Sequence, residues 1–388
     1  MALQLFDHNK KAYKVAVNMM QQYGKAAIVH PTGTGKSYIA FKLIEDHPDE
    51  VIFWLSPSEY IFKTQRERLL HQDPDFTLQN VHFYTYAKLM CCTPEQLNEI
   101  VAQRPSYIIL DEFHRIGAEF WGESTQKLLV LCPQAKLLGL TATNVRYLDN
   151  NRDMAEELFD GHVASEMTLG EAIVRGILPT PKYVTTVFKY QQDLVRYQNR
   201  VDNLRSPGIQ DVNQKYLDAL KRALERADGL DKVFARHITN RAGKYIVFCS
   251  GKEHMEEMIS HVPEWFASID TAPTIYKALS DDASTDKAFA AFKADNNAHL
   301  KLLFCIDMLN EGIHVEGISG VILFRPTISP IIYKQQIGRA LTAGDSTTPL
   351  ILDVVNNFEG LSSISGLQNE MTAAVQRLYA NGEGDKVV

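Results

Sequence analysis

Cysteine is scarce and nowhere spaced for metal or disulfide chemistry. The five present, Cys91, Cys92, Cys132, Cys249 and Cys305, form no C-x-x-C pair, which argues against a zinc ribbon and against a disulfide framework. Cys249 and Cys305 fall inside apolar runs and read as core residues. Long apolar runs are missing as well. No stretch approaches the roughly 20 residues that span a bilayer, so no membrane partner is expected. The opening Met1-Ala2-Leu3-Gln4-Leu5-Phe6-Asp7-His8 lacks the charge-then-apolar order of a secretion signal, and a cytoplasmic location is expected. Positive charge is in deficit too: 40 Lys and Arg face 47 Asp and Glu, a net of −7. Proteins that neutralise phosphates usually show a basic face, and an isoelectric point near 6.0 does not advertise one.

What is present is room and a repeated pattern. With 388 residues, 45% of them hydrophobic, the chain can fill two domain cores. Short apolar runs separated by helical-looking segments predict buried parallel strands of an α/β fold. In the first half these are Lys25–His30, Val51–Ser56, Val81–Tyr86, Tyr107–Glu112 and Lys136–Thr143. In the second they are Tyr183–Phe188, Tyr245–Ser250, Thr274–Leu279, Lys301–Ile306, Gly320–Arg325 and Pro349–Val354. Pro179-Thr180-Pro181 marks the expected boundary. We therefore expect a first lobe over 1–178, a second over 179–360, and a C-terminal helical tail over 361–388. Between 191 and 240 the pattern turns helical, and this insert is the one net-basic region: Lys182 to Lys244 holds 13 Lys and Arg against 7 Asp and Glu. It reads either as a phosphate-tracking wall or as an ordinary solvated helical pair.

Three short stretches carry chemistry. Pro31-Thr32-Gly33-Thr34-Gly35-Lys36-Ser37 follows the apolar run Ala26 to Val29. Small residues here let backbone N–H groups approach phosphate oxygens, and the helix that follows aims its positive end at them. Thr32, Gly33, Thr34, Gly35, Lys36 and Ser37 are thus candidates to hold ATP, with Lys36 on the outer phosphates and the Ser37 hydroxyl on Mg²⁺. His30 stands where the usual pattern has its first glycine. Asp111-Glu112-Phe113-His114 closes the second apolar strand, placing two carboxylates at a sheet's carboxyl edge. Asp111 is the candidate Mg²⁺ ligand, and Glu112 the group that polarises the attacking water. The third stretch is Gln335-Gln336-Ile337-Gly338-Arg339-Ala340.

In this order, with Leu140-Thr141-Ala142-Thr143 between the second and third, the set resembles a superfamily 2 DExH helicase of the bacterial group related to type III restriction enzyme helicase subunits. The resemblance covers roughly residues 3 to 360. Its motifs are specific as an ordered set, although several would be weak alone. Ser56-Pro57 through Gln65 resembles motif Ia, and Phe83-Tyr84-Thr85-Tyr86 a further nucleic-acid contact motif. Ile246 through Ser250 resembles motif IV, and Asp307 through Gly312 motif V. The resemblance implies two tandem RecA-like lobes, ATP bound between them, and coupling of hydrolysis to a hinge motion. It places Gln335, Arg339 and His114 with Lys36 and Glu112 in the catalytic machinery, and Gly312 at the nucleotide. Thr141 and Thr143 would relay the nucleotide state from His114. Ser56, Thr85, Ser250 and Asn310 would face one nucleic-acid strand.

Departures from the family pattern are visible. Thr342 stands where a second arginine belongs, His314 replaces a common aspartate, and Ile306 replaces a threonine or serine before Asp307. Arg339 is either the single finger completing the site or a structural arginine. Arg325 either compensates for Thr342 or anchors a loop. Matching Ala12 to the family alanine puts Asn9 at the adenine-reading glutamine, although Asn9 also reads as a helix cap. The resemblance thus implies an ATP-dependent helicase or translocase, on DNA in preference to RNA. A slow ATP-gated clamp is the alternative. Relatives of this kind often continue into helicase-associated repeats, so further C-terminal domains or partner subunits are expected.

Overall fold

The computed structural model describes residues 3–117, 119–143, 145–146, 152–187, 198–199, 201–203, 214–215, 229–279, 285–306, 317–324, 336–338, 340–342, 348–355 and 359–387. The expected strands form two parallel sheets. In the first, β1 (Lys25–Val29), β2 (Ile52–Ser56), β3 (Val81–Thr85), β4 (Tyr107–Asp111) and β5 (Lys136–Thr141) are joined, after a short ribbon of β6 (Val145–Arg146) and β7 (Arg152–Asp153), by β8 (Val163–Glu166). Their order is β3-β2-β4-β5-β1-β8. The second sheet contains β9 (Lys182–Val187), β10 (Lys244–Cys249), β11 (Thr274–Ala278), β12 (Lys301–Ile306), β13 (Gly320–Leu323) and β14 (Leu350–Val355). Their order is β11-β12-β10-β13-β14-β9. Every pairing in both sheets is parallel.

Helices cover both faces of each sheet, which is why the strands are apolar throughout instead of alternating with polar residues. Ala26, Ile28, Ile52, Trp54 and Ile109 point into one core of the first sheet, while their neighbours Ala27, Val29, Phe53, Leu55 and Ile108 point into the other. The second sheet divides in the same way, with Ile246 and Phe248 on one face and Tyr245, Val247 and Cys249 on the other. Cys249 and Cys305 are buried. Among the described residues no helix is long and apolar enough to cross a membrane.

Two expected boundaries move. The first lobe does not run to residue 178. β8 still pairs with β1, and Met167 N–H still donates to Val29 O at 2.9 Å. The helix Leu169–Val174 that follows, however, buries Leu169, Ala172 and Ile173 in the second sheet's core. The packing therefore changes lobes near Met167, and Pro179-Thr180-Pro181 is only the loop between that helix and β9. The segment expected as a separate tail is also part of the second lobe. Its helix runs over Glu359–Ala380, sends Leu367 into the same core, and pairs Arg377 with Glu171. Of the expected insert over 191–240, the structure describes a few short pieces and the helix Leu230–His237. The rest lies outside the described residues.

Candidate active site

β1 delivers the chain into the phosphate loop, and the helix Lys36–Asp46 carries it away. Gly33 and Gly35 both lie in the left-handed region, at φ +88° and +79°. A Cβ on Gly33 would come within 2.0 Å of the Leu341 carbonyl oxygen, so backbone from the second lobe lies directly on this loop. Hydrogen bonds fix the loop's shape from behind. Thr34 Oγ1 donates to Pro31 O at 2.8 Å, and Asn9 Nδ2 donates to Thr34 O at 2.8 Å and to Gly35 O at 3.1 Å. The Lys36 ammonium folds onto the loop and donates to Pro31 O at 3.1 Å. His30, in the unexpected position, is buried with Nε2 2.8 Å from Ser165 Oγ. Burial, followed by the positive neighbours Lys36, His8 and Arg175, pushes its pKa down to about 3, so its ring is neutral near pH 7.

β4 ends in Asp111, and the next residue, Glu112, adopts φ +51°. For a residue with a side chain this conformation costs on the order of 1–2 kcal/mol, and it persists only where surroundings hold it. One such hold is the fully buried Tyr86, whose hydroxyl donates to Asp111 O at 2.8 Å. Gln65 Nε2 donates to Asp111 Oδ2 at 3.3 Å. Burial, and then the adjacent Glu112 carboxylate, push the Asp111 carboxyl above the usual carboxylate range. Behind Glu112, His114 Nδ1 lies 2.8 Å from Thr141 Oγ1 and 3.4 Å from Glu112 Oε2. Thr141 has one hydroxyl proton, and its shortest acceptor is Thr143 O at 2.7 Å. His114 Nδ1 is then the donor to Thr141, with the Glu112 carboxylate close beside it.

These elements converge on one cavity at the carboxyl edge of the first sheet. Thr32, Gly33, Gly35, Lys36, Ser37, Asp111 and Glu112 line it, with Thr342 reaching in from the second lobe. A serine hydroxyl and a carboxylate beside an ammonium and a glycine loop form a hard-oxygen donor set. That set fits Mg²⁺ bound with a nucleotide's phosphates. The cavity also has an end that sequence reading missed, formed by Gln4, Phe6, Tyr38, Gln65, Arg68 and Gln72. Gln4 and Phe6 belong to no motif, whereas Gln65 stands within the motif Ia stretch. Gly338 packs against Thr32, where an added Cβ would lie 3.5 Å from the Thr32 Cβ. Gln335, Arg339, Gly312 and Asn310 lie outside the described residues, as do Asp307, His314 and Arg325.

Several expected roles change. Asn9 is the third residue of the helix Asp7–Tyr23, so it is not the helix cap. Nor is it among the residues lining the cavity: its amide nitrogen donates to the loop from beneath. Thr34 likewise turns inward and is fully buried. Ser56 does not face a groove either: it ends a strand covered on both sides and is fully buried. The two other described strand-contact candidates sit at helix starts. Thr85 Oγ1 accepts from Lys88 N at 3.0 Å, and Ser250 Oγ lies 2.7 Å from His254 Nδ1.

Two family models match the chain. "Type III restriction enzyme, res subunit" covers residues 2–146, and "Helicase conserved C-terminal domain" covers residues 226–344. A 51.5 kDa protein of a Lactococcus phage (isolate 7-9) is 24% identical over 342 residues, 85% of this chain and 66% of that protein. The EcoAI endonuclease subunit, a type I restriction enzyme of Escherichia coli, is 22% identical over 81% of this chain and 41% of its own length. The chain therefore spans two thirds or less of these relatives. Among solved structures, the ATP-dependent type ISP restriction-modification enzyme LlaBIII bound to DNA aligns at TM-score 0.60 and 17% identity, covering 96% of this chain and 29% of that one. Dbp5 of S. cerevisiae bound to RNA and ADP BeF3 aligns at TM-score 0.58 and 14% identity, covering 95% and 92%. The two matched models, in this order on two RecA-like lobes, make this chain a superfamily 2 helicase related to restriction-enzyme subunits.

Proposed function

We propose that the chain hydrolyses ATP between its lobes and uses their opening and closing to move along DNA. The observation that carries this reading is the composition of the cavity. Lys36, Ser37, Asp111 and Glu112 come from the first lobe, and Thr342 enters from the second. The loop amides and Lys36 would bind the phosphates, and Ser37 and Asp111 would hold Mg²⁺, which neutralises charge developing on them. Glu112, oriented by His114 and Thr141, would align the attacking water. Arg339 would reach the outer phosphate when the lobes close, which couples chemistry to hinge motion. Gln335 would accompany it from the same segment. A single strand would run by its phosphates past Thr85, Ser250 and Asn310, and Thr141 and Thr143 would relay the nucleotide state towards it. DNA is favoured over RNA by the restriction-enzyme relatives, one of which is bound to DNA.

A second reading, a slow ATP-gated clamp, is favoured by one observation. Thr342 lies in the cavity where family members present an arginine, and a hydroxyl cannot supply that charge. Displacement of a triplex-forming strand from duplex DNA separates the two. A motor displaces the third strand with ATP and not with Lys36→Ala. A clamp retains DNA in the presence of ATP yet displaces nothing.

A further inference from the structure

The peptide joining Asp111 to Glu112 is held by Tyr86, the last residue of the Phe83-Tyr84-Thr85-Tyr86 stretch, to which the proposed chemistry assigns no role. Tyr86 follows directly on Thr85, the last residue of β3, and opens the helix Tyr86–Met90 that the Thr85 hydroxyl caps. β3 and β4 are not neighbours, since β2 lies between them. The Tyr86 side chain therefore spans a strand to place its hydroxyl 2.8 Å from Asp111 O. Its ring is packed into the same core as Phe53, Leu55, Leu89 and Leu110, so it behaves as a stiff lever.

The carbonyl it grips belongs to the planar Asp111–Glu112 peptide. Fixing that oxygen fixes the plane, and the plane sets ψ at Asp111 and φ at Glu112. Glu112 needs such a hold because its φ of +51° is one that side-chain-bearing residues rarely adopt.

We propose that Tyr86 is a positioning residue that transmits strand occupancy at the Thr85 turn to the aim of the Glu112 carboxylate, through its hydrogen bond to the Asp111 carbonyl. This rests on the reading above, in which Thr85 meets a strand and Glu112 aligns water. A strand pressing on the Thr85 turn shifts the start of the helix. Tyr86 moves with it, and the peptide plane tilts. Polymer then acts on turnover and leaves ATP affinity alone.

Tyr86→Phe removes the donor and keeps the ring. Steady-state ATP hydrolysis is measured with and without saturating single-stranded DNA, alongside KM for ATP and Kd for the DNA. The expected result is a kcat at saturating DNA lower by about tenfold, with KM and Kd within about twofold of the parent. The stimulation ratio should shrink accordingly, which a merely structural role would not produce. A parent stimulated by DNA and a variant stimulated equally would overturn the inference alone. A parent indifferent to any polymer would instead contradict the proposed function on which it rests. Should Tyr86→Phe fail to fold, Thr85→Ala carries the test. Lower kcat at saturating DNA supports the link, whereas weaker DNA affinity with parental kcat at saturation overturns it.

Discussion

At the scale of the residue, the site mixes positions that motif spacing announces with positions that only packing reveals. Lys36, Ser37, Asp111 and Glu112 were legible because phosphate and metal chemistry demands those groups at fixed places beside a strand end, and the fold delivers them to one cavity. The place of Asn9 beneath the loop was not legible, because spacing cannot tell a side chain aimed at a ligand from one aimed at the loop behind it. Tyr86 and Gln4 were illegible, since their roles depend on contacts across the sheet and around the cavity rim. His30 was visible as a departure but not as a buried neutral imidazole. Its folded pKa lies near 3, below the ordinary 6.5, so below about pH 6.5 the unfolded chain binds a proton that the native chain refuses. This group's contribution is intact above pH 6.5 and is lost as pH falls towards 3, by at most about 1.4 kcal/mol per pH unit. His30→Gln should therefore flatten the decline of the urea midpoint between pH 7 and pH 5. An equally steep decline would show that His30 is not the titrating group.

At the scale of the element, the strands were readable because both sheets are covered on both faces and their runs are uniformly apolar. β8 escaped notice because Val-Ala-Ser-Glu is short and polar, as suits an edge beside β1. The lobe boundary was misplaced because Pro179-Thr180-Pro181 is a strong local break, whereas membership of a core is a tertiary property. The helix Leu169–Val174 and the helix Glu359–Ala380 pack together, joined by Glu171, which pairs with both Arg175 and Arg377. Apolar burial should dominate that joint. Leu367→Ala is expected to cost about 2–4 kcal/mol, read as lost amide protection in β13 and β14 with β1 unchanged. Arg377→Ala, whose side chain is 56% exposed, should cost no more than about 1 kcal/mol. The reverse ranking would mean that the ion pair holds the terminal helix in place.

At the scale of the whole molecule, two sheets in one chain set their carboxyl edges so that the second lobe's Leu341 and Thr342 meet the first lobe's phosphate loop. That meeting brings both lobes to the candidate nucleotide site, and bulk composition gave no hint of it. A net charge of −7 argued against a nucleic-acid partner, while motif order and fold place the chain among helicases. Charge counted over a whole chain is a poor guide when a groove needs only a few phosphate contacts. ATP turnover in this cavity is proposed to be driven by a nucleic-acid strand. The direct test is steady-state ATP hydrolysis with no polymer, with single-stranded DNA and with single-stranded RNA, beside a Lys36→Ala control. Strong stimulation by DNA that the control abolishes is the expected result. A slow rate indifferent to every polymer, with ATP still tightly bound, would contradict it.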